Sequence, residues 1–123
     1  MSDLRERFLS ATKRRIIAVD VPQVGEVKLR SLTADEMRSF KDSLTDGGKL
    51  NKRGDNFERL LVAQCVCDEH GHRALTDEDA LCGVFGEVDG AVIAKLYGVC
   101  VVHTNWRCDP DWKAIEDAAK NSG

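Results

Sequence analysis

The sequence predicts an α+β fold, predominantly helical with a small N-terminal antiparallel β-hairpin. Three observations predict it. A β-branched run over 15–21 is separated by a turn from the alternating stretch Glu26-Val27-Lys28-Leu29-Arg30. Two capping patterns, Thr33-Ala34-Asp35-Glu36 and Thr76-Asp77-Glu78-Asp79, mark helix starts. Apolar residues then recur at helical spacing up to about residue 105.

The chain has 123 residues, which fits one domain over 1–123. The expected parts are an N-terminal helix over 1–12, a hairpin over 14–31, a helical core over 33–105, and a C-terminal helix and tail over 109–123. Leu4, Phe8 and Ala11 stand at helical spacing in the first part. In the hairpin, period-two alternation buries one face of each strand. Thr33 opens a helix because its hydroxyl can accept the Glu36 amide while the Glu36 carboxylate reaches back to the Thr33 amide. Leu32 and Met37 flank that cap as a hydrophobic staple, and Met37, Phe40 and Leu44 mark the apolar face. Asp46-Gly47-Gly48 closes the helix, since glycine takes the left-handed conformation that ends one.

A polar, mobile stretch is expected over 49–54. Asp55 then caps a second helix, with Phe57, Leu60, Leu61 and Cys65 facing inward. The chain turns over 68–72, and Thr76 opens a short helix through Ala80, Leu81 and Val84 that stops at Gly86. A longer helix over 88–105 carries Val92, Leu96, Val99, Cys100 and His103. Gly98 weakens it by ~1 kcal/mol relative to alanine. Last, Asp109-Pro110 caps a short helix with proline at its first position.

Composition narrows the function classes. At 42% hydrophobic and 32% charged, with two prolines, the profile is globular rather than disordered. A formal net charge of −3 argues against nucleic acid as a partner, since such binders carry a basic surplus. The short run Lys13-Arg14-Arg15 leads into an apolar strand and reads as a solvated flank. No apolar run approaches ~18 residues and no secretory pattern opens the chain, so neither membrane insertion nor export is expected. Five cysteines (Cys65, Cys67, Cys82, Cys100 and Cys108) are an odd number, and free thiols in a reducing cytosol fit better than a disulfide framework.

One cluster has metal-ligand chemistry. Cys65, Cys67, His70 and His72 are four donors of the kind zinc takes in a tetrahedron. All four fall on one helix end and its turn, whereas structural zinc motifs hold the ion from two separate knuckles. Cys65 packed in the core, with His70 and His72 on an exposed turn, is therefore the preferred reading, and no metal or other cofactor is expected. A cysteine nucleophile would need a histidine base oriented by a third group. His103 could approach a cysteine, but it continues an apolar stripe and no catalytic signature surrounds any cysteine. The acidic runs at Asp77-Glu78-Asp79 and at Asp109 and Asp111 serve first as helix caps. No phosphate loop, dinucleotide fingerprint or nucleophile elbow occurs, so no catalytic residue is assigned and the chain reads as a non-catalytic binding protein. Trp106 and Trp112 are either core or interface anchors, tryptophan being enriched at binding hot spots. With Met37 and Phe40, they are the candidates for partner contact.

The order of these signals resembles a known family. VKLRSLTADE at 27–36 runs into a helix, a glycine-rich polar break follows, and the next helix ends in CVCDEHGHRALTDED at 65–79. This is similar to the tail assembly chaperones of siphovirus-type phages and prophages. In them a V.VR.LTA.E...F segment precedes a helix, and an L.DE.G.R.FTDED turn follows the second one. The resemblance covers roughly residues 21–96. Cys65 and Cys67 stand where such proteins more often carry apolar residues, and the tryptophan-bearing C-terminal segment has no counterpart in the pattern.

The resemblance implies a protein that binds the long apolar tape measure protein and keeps it soluble in the host bacterial cytoplasm while tube subunits polymerise. It implies absence from the mature virion, self-association as a homo-oligomer and contact with the major tail tube protein. It also implies a longer form made by ribosomal frameshifting, and Ala119-Lys120-Asn121 is compatible with a slippery A AAA AAC run in the gene. A minor tail component retained in the particle and a small zinc-binding regulator are the alternatives.

Overall fold

Residues 2–11 and 14–104 are described by a computed structural model. They form six α-helices and two small antiparallel sheets, so the fold is α+β, predominantly helical, with a hairpin near the N-terminus. The first helix, α1 (Ser2–Ser10), leaves its Leu4, Phe8 and Leu9 side chains exposed. Strands β1 (Ile16–Val21) and β2 (Gly25–Arg30) then pair antiparallel, from Ile16 opposite Arg30 to Val21 opposite Gly25. Alternation puts Val21, Val27 and Leu29 in the core and leaves Ile16, Ala18 and Asp20 exposed.

Helix α2 (Ala34–Ser43) opens on the capping box read from the sequence. The Glu36 amide donates to the Thr33 hydroxyl at 3.1 Å, and the Thr33 amide donates to the Glu36 carboxylate at 2.8 Å. The glycines expected to close this helix serve a different turn. Gly47 and Gly48, at φ of +59° and +81°, join β3 (Thr45–Asp46) and β4 (Lys49–Leu50) into a second hairpin. The stretch over 49–54, expected to be mobile, contributes β4 and most of the short helix α3 (Lys52–Asp55). Asn51 caps α3, its side chain accepting the Gly54 amide at 2.9 Å. Asp55 thus ends one helix rather than capping the next.

Helix α4 (Phe57–Cys65) is the centre of the molecule. Leu60, Leu61, Val62 and Ala63 are all buried. Four consecutive positions, each turned by about 100°, sweep the whole circumference of a helix. After Cys65 the chain leaves the helix sooner than the sequence suggests. Val66 and Cys67 form a strand, β5 (Val66–Cys67), that pairs with Leu29 and Lys28 and gives the sheet order β1-β2-β5. Two residues are too few to show the alternation that reveals a strand.

The Thr76 cap holds as read. It opens α5 (Asp77–Leu81), with the Asp79 amide donating to the Thr76 hydroxyl at 3.1 Å. A single 3₁₀ turn, Val84–Gly86, places Phe85 in the core. Helix α6 (Gly90–Thr104) then packs Val92, Ile93, Leu96 and Cys100 into the same core as α4. The helix and tail expected over 109–123, with Trp106, Trp112 and Cys108, lie outside the described residues. Among the described residues no helix is long and apolar enough to cross a membrane.

Candidate functional site

β1 forms one edge of its sheet, and among the described residues no strand pairs with its outer side. The Ser31 amide donates to the Arg15 carbonyl at 2.8 Å, which makes the odd-numbered residues of β1 those bonded to β2. Ile16, Ala18 and Asp20 therefore turn their backbone N–H and C=O groups outward. Helix α6 runs alongside and is tied to β1 at both ends. Lys95 Nζ donates to the Asp20 carbonyl at 3.0 Å. At the far end the Arg15 guanidinium donates to the His103 carbonyl at 2.8 Å, and His103 Nε2 donates back to the Arg15 carbonyl at 3.1 Å. Between these ties lies a groove of about 640 Å³, walled by Ile17 on one side and by Ala94, Gly98, Val99 and Val102 on the other.

The groove exists because α6 is apolar on more than one side. Val92, Ile93, Leu96 and Cys100 face the core, while Ala91, Ala94, Gly98 and Val102 lie exposed along the opposite flank. Spacings of three and four residues align them in one row. Val102 is 81% exposed. A second apolar surface is α1, whose Leu4, Phe8 and Leu9 are 52%, 69% and 50% exposed.

At the base of the hairpin, polar groups close on one another instead. The Arg14 guanidinium donates to both Glu36 oxygens at 2.8 and 2.6 Å. This hydrogen-bonded pairing holds the Glu36 carboxyl at about 2, below its ordinary 4.5. Arg30 lies 4.0 Å from the same carboxylate and donates its Nε–H to the Gln64 carbonyl of α4 at 2.8 Å. Burial pushes the Arg30 guanidinium below its ordinary value. The network bolts β2, α2 and α4 together, with two guanidiniums sharing one carboxylate, and so keeps a net positive charge.

The cysteine and histidine candidates do not converge. Cys65 is buried at the end of α4, and Cys67 is buried in β5. A hydrogen bond with Cys65, and burial, push the Cys100 thiol far above its ordinary value, while burial pushes the Cys67 thiol up. Such thiols stay protonated and are poor ligands and nucleophiles. His70 and His72 are exposed on the turn, their backbone amides donating to the Asp68 carboxylate at 2.8 and 3.0 Å. Among the described residues no group of three or more His, Cys, Asp or Glu side chains is placed to hold a metal ion. The four-ligand zinc alternative is thus not assembled, because two donors point into the core and two into solvent. His103 is buried, with its Nε2 engaged by the Arg15 carbonyl rather than by a cysteine.

The partner-contact candidates divide in the same way. Phe40 is only 4% exposed and belongs to the core, so its ring is not offered to a partner. Met37 is half-buried against that core. The surfaces the structure does expose, the α6 flank with the β1 edge, were missed by motif reasoning. A usable signal was present: Ala91, Ala94, Gly98 and Val102 form a second apolar stripe on a helix that already has one. Comparison with family models, with curated proteins and with solved structures finds no match to the chain.

Proposed function

We propose that this chain is a non-catalytic tail assembly chaperone that binds the tape measure protein and keeps it soluble in the host cytoplasm while the tail tube polymerises. The observation that carries this reading is the exposed apolar side of α1. A nine-residue helix is shorter than the ~12–15 residues at which isolated helices become even marginally stable in water. It therefore gains from lying against another apolar helix. Setting Leu4 and Phe8 along an amphipathic client uses the spacing of helix-to-helix recognition. Full burial of one such side chain is worth ~1.5–3 kcal/mol, so these partly exposed ones give a contact that a growing tube can displace. The order of caps and turns that resembles the tail assembly chaperones supports the same reading.

Co-expression tests it. The full chain is expected to move a tape measure protein from the pellet to the soluble fraction, and Phe8→Ser to return most of it to the pellet. A client equally soluble with and without the chain would reject the reading. Mass spectrometry of purified virions separates it from a retained minor tail component, since the chaperone is expected to be missing from the particle.

A further inference from the structure

We infer that β1 pairs antiparallel with β1 of a second copy, so that two chains share one continuous sheet and their α6 flanks meet beside it. The edge itself is the first reason. Ile16, Ala18 and Asp20 turn their backbone groups outward, and among the described residues the one partner recorded there is Lys95, on the Asp20 carbonyl. β1 reads IIAVDV over six residues, rich in β-branched side chains and without the lysine or proline that deters pairing. Such an edge is roughly 20 Å long.

Charge gives the second reason and chooses the occupant. The Ile16 end of the sheet is basic, because Arg14, Arg15 and Arg30 outnumber Glu36 there. The other end is acidic, since Asp20 and Glu26 outnumber Lys95 there. Asp20 and Glu26 stand directly opposite each other on β1 and β2, a like-charge pair that is unfavourable on its own. Antiparallel pairing centred on Ala18 sets Ile16 of each copy opposite Asp20 of the other. The cross-strand row then reads Glu26 and Asp20 from one copy, followed by Ile16 and Arg30 from the other. Each acidic end lies against a basic end, whereas parallel alignment would set like against like. This register also engages all three outward-facing residues of both strands and puts the small Ala18 on the twofold axis, as a self-complementary interface requires.

Space is the third reason. A strand added at this edge lies over the groove between β1 and α6. A β-carbon built at Gly98 meets nothing within 4 Å, so two α6 flanks can approach closely there. The inference goes beyond the client reading and rests on different residues. It leaves α1 free, and a pair of chains would offer two α1 helices to one long client.

Sedimentation equilibrium of the full chain is expected to give twice the chain mass of 13.6 kDa, falling toward one chain on dilution. Hydrogen exchange is expected to protect the Ile16, Ala18 and Asp20 amides at high concentration and to release them on dilution. Ala18→Pro removes an outward amide without touching the bonds to β2, and Gly98→Lys sends a charge across the flank. Both are expected to sediment as single chains with native circular dichroism, while Phe8→Ser remains paired. If Ala18→Pro loses its native spectrum, Gly98→Lys alone decides. A single-chain mass for the wild type at every concentration would overturn the proposal. So would a pair that survives in either folded variant, or edge amides protected only when an unrelated extended peptide is added.

Discussion

Helices α4 and α6 both carry apolar residues on more than one side, yet among the described residues only those of α4 are covered all round. α4 has β2, α5 and α6 packed around it, and Leu60 through Ala63 are buried. α6 meets α4 on one side, while beside its other flank β1 ends the sheet and leaves Ala91, Ala94, Gly98 and Val102 bare. Apolar sequence therefore says that a helix needs neighbours, and topology decides whether its own chain supplies them. Where the described residues do not, the bare side is a candidate surface for a partner.

Removing a side chain from the enclosed helix gives the largest expected effect. Leu60 is fully buried in α4. Leu60→Ala loses its transfer free energy and leaves a cavity, so unfolding in urea is expected to show a loss of ~2–5 kcal/mol. An effect below ~1 kcal/mol would mean that α4 is not the packed centre described here.

The lid of ion pairs over α4 gives the next effect, and it depends on pH. Glu36→Gln removes the carboxylate that Arg14 and the Thr33 amide share, at an expected cost of ~1–2 kcal/mol near neutral pH. The folded-state value of Glu36 lies below its unfolded one. Its contribution is therefore full above the ordinary 4.5 and is lost as pH falls toward about 2. Asp77 acts in the same direction, its contribution being lost as pH falls below its ordinary carboxylate range. Burial works upward on it, but the Arg73 hydrogen bond and the charges of Arg73 and Arg53 hold it below its ordinary value. Urea midpoints across acidic pH are thus expected to fall less in the variant than in the wild type. Parallel slopes through that window would show that the Arg14 pairing contributes nothing.

What was legible in the sequence follows the same division between near and far. Thr33 with Glu36, and Thr76 with Asp79, are capping pairs three residues apart, and both form as read. The hairpin also declares itself locally, by alternation around one turn. Asn51 does not stand out as a cap in the sequence because the glycine inside α3 disguises a short helix. β5 could not be read at all, since its pairing with Leu29 and Lys28 joins residues far apart in the chain. The same holds for Arg14 and Glu36, and for the ties between β1 and α6. Of the candidate site, the second stripe on α6 was visible in the residue types. That β1 would be an edge beside it was not, because sheet order is a non-local property.

The smallest expected effect reverses in sign and tests the bare flank directly. Alanine is favoured over glycine in a helix interior by up to ~1 kcal/mol, provided the added methyl meets no obstacle. Gly98 sits well inside α6, and a β-carbon there reaches open space. Gly98→Ala is therefore expected to raise stability by ~0.5–1 kcal/mol, read from urea unfolding at a dilution where chains are single. The gain would come from the backbone alone, which is what an uncovered helix surface allows. A loss of stability instead would show that the flank is already packed against its own chain. That outcome would give α6 the same enclosure as α4 and remove the surface on which a second copy is placed.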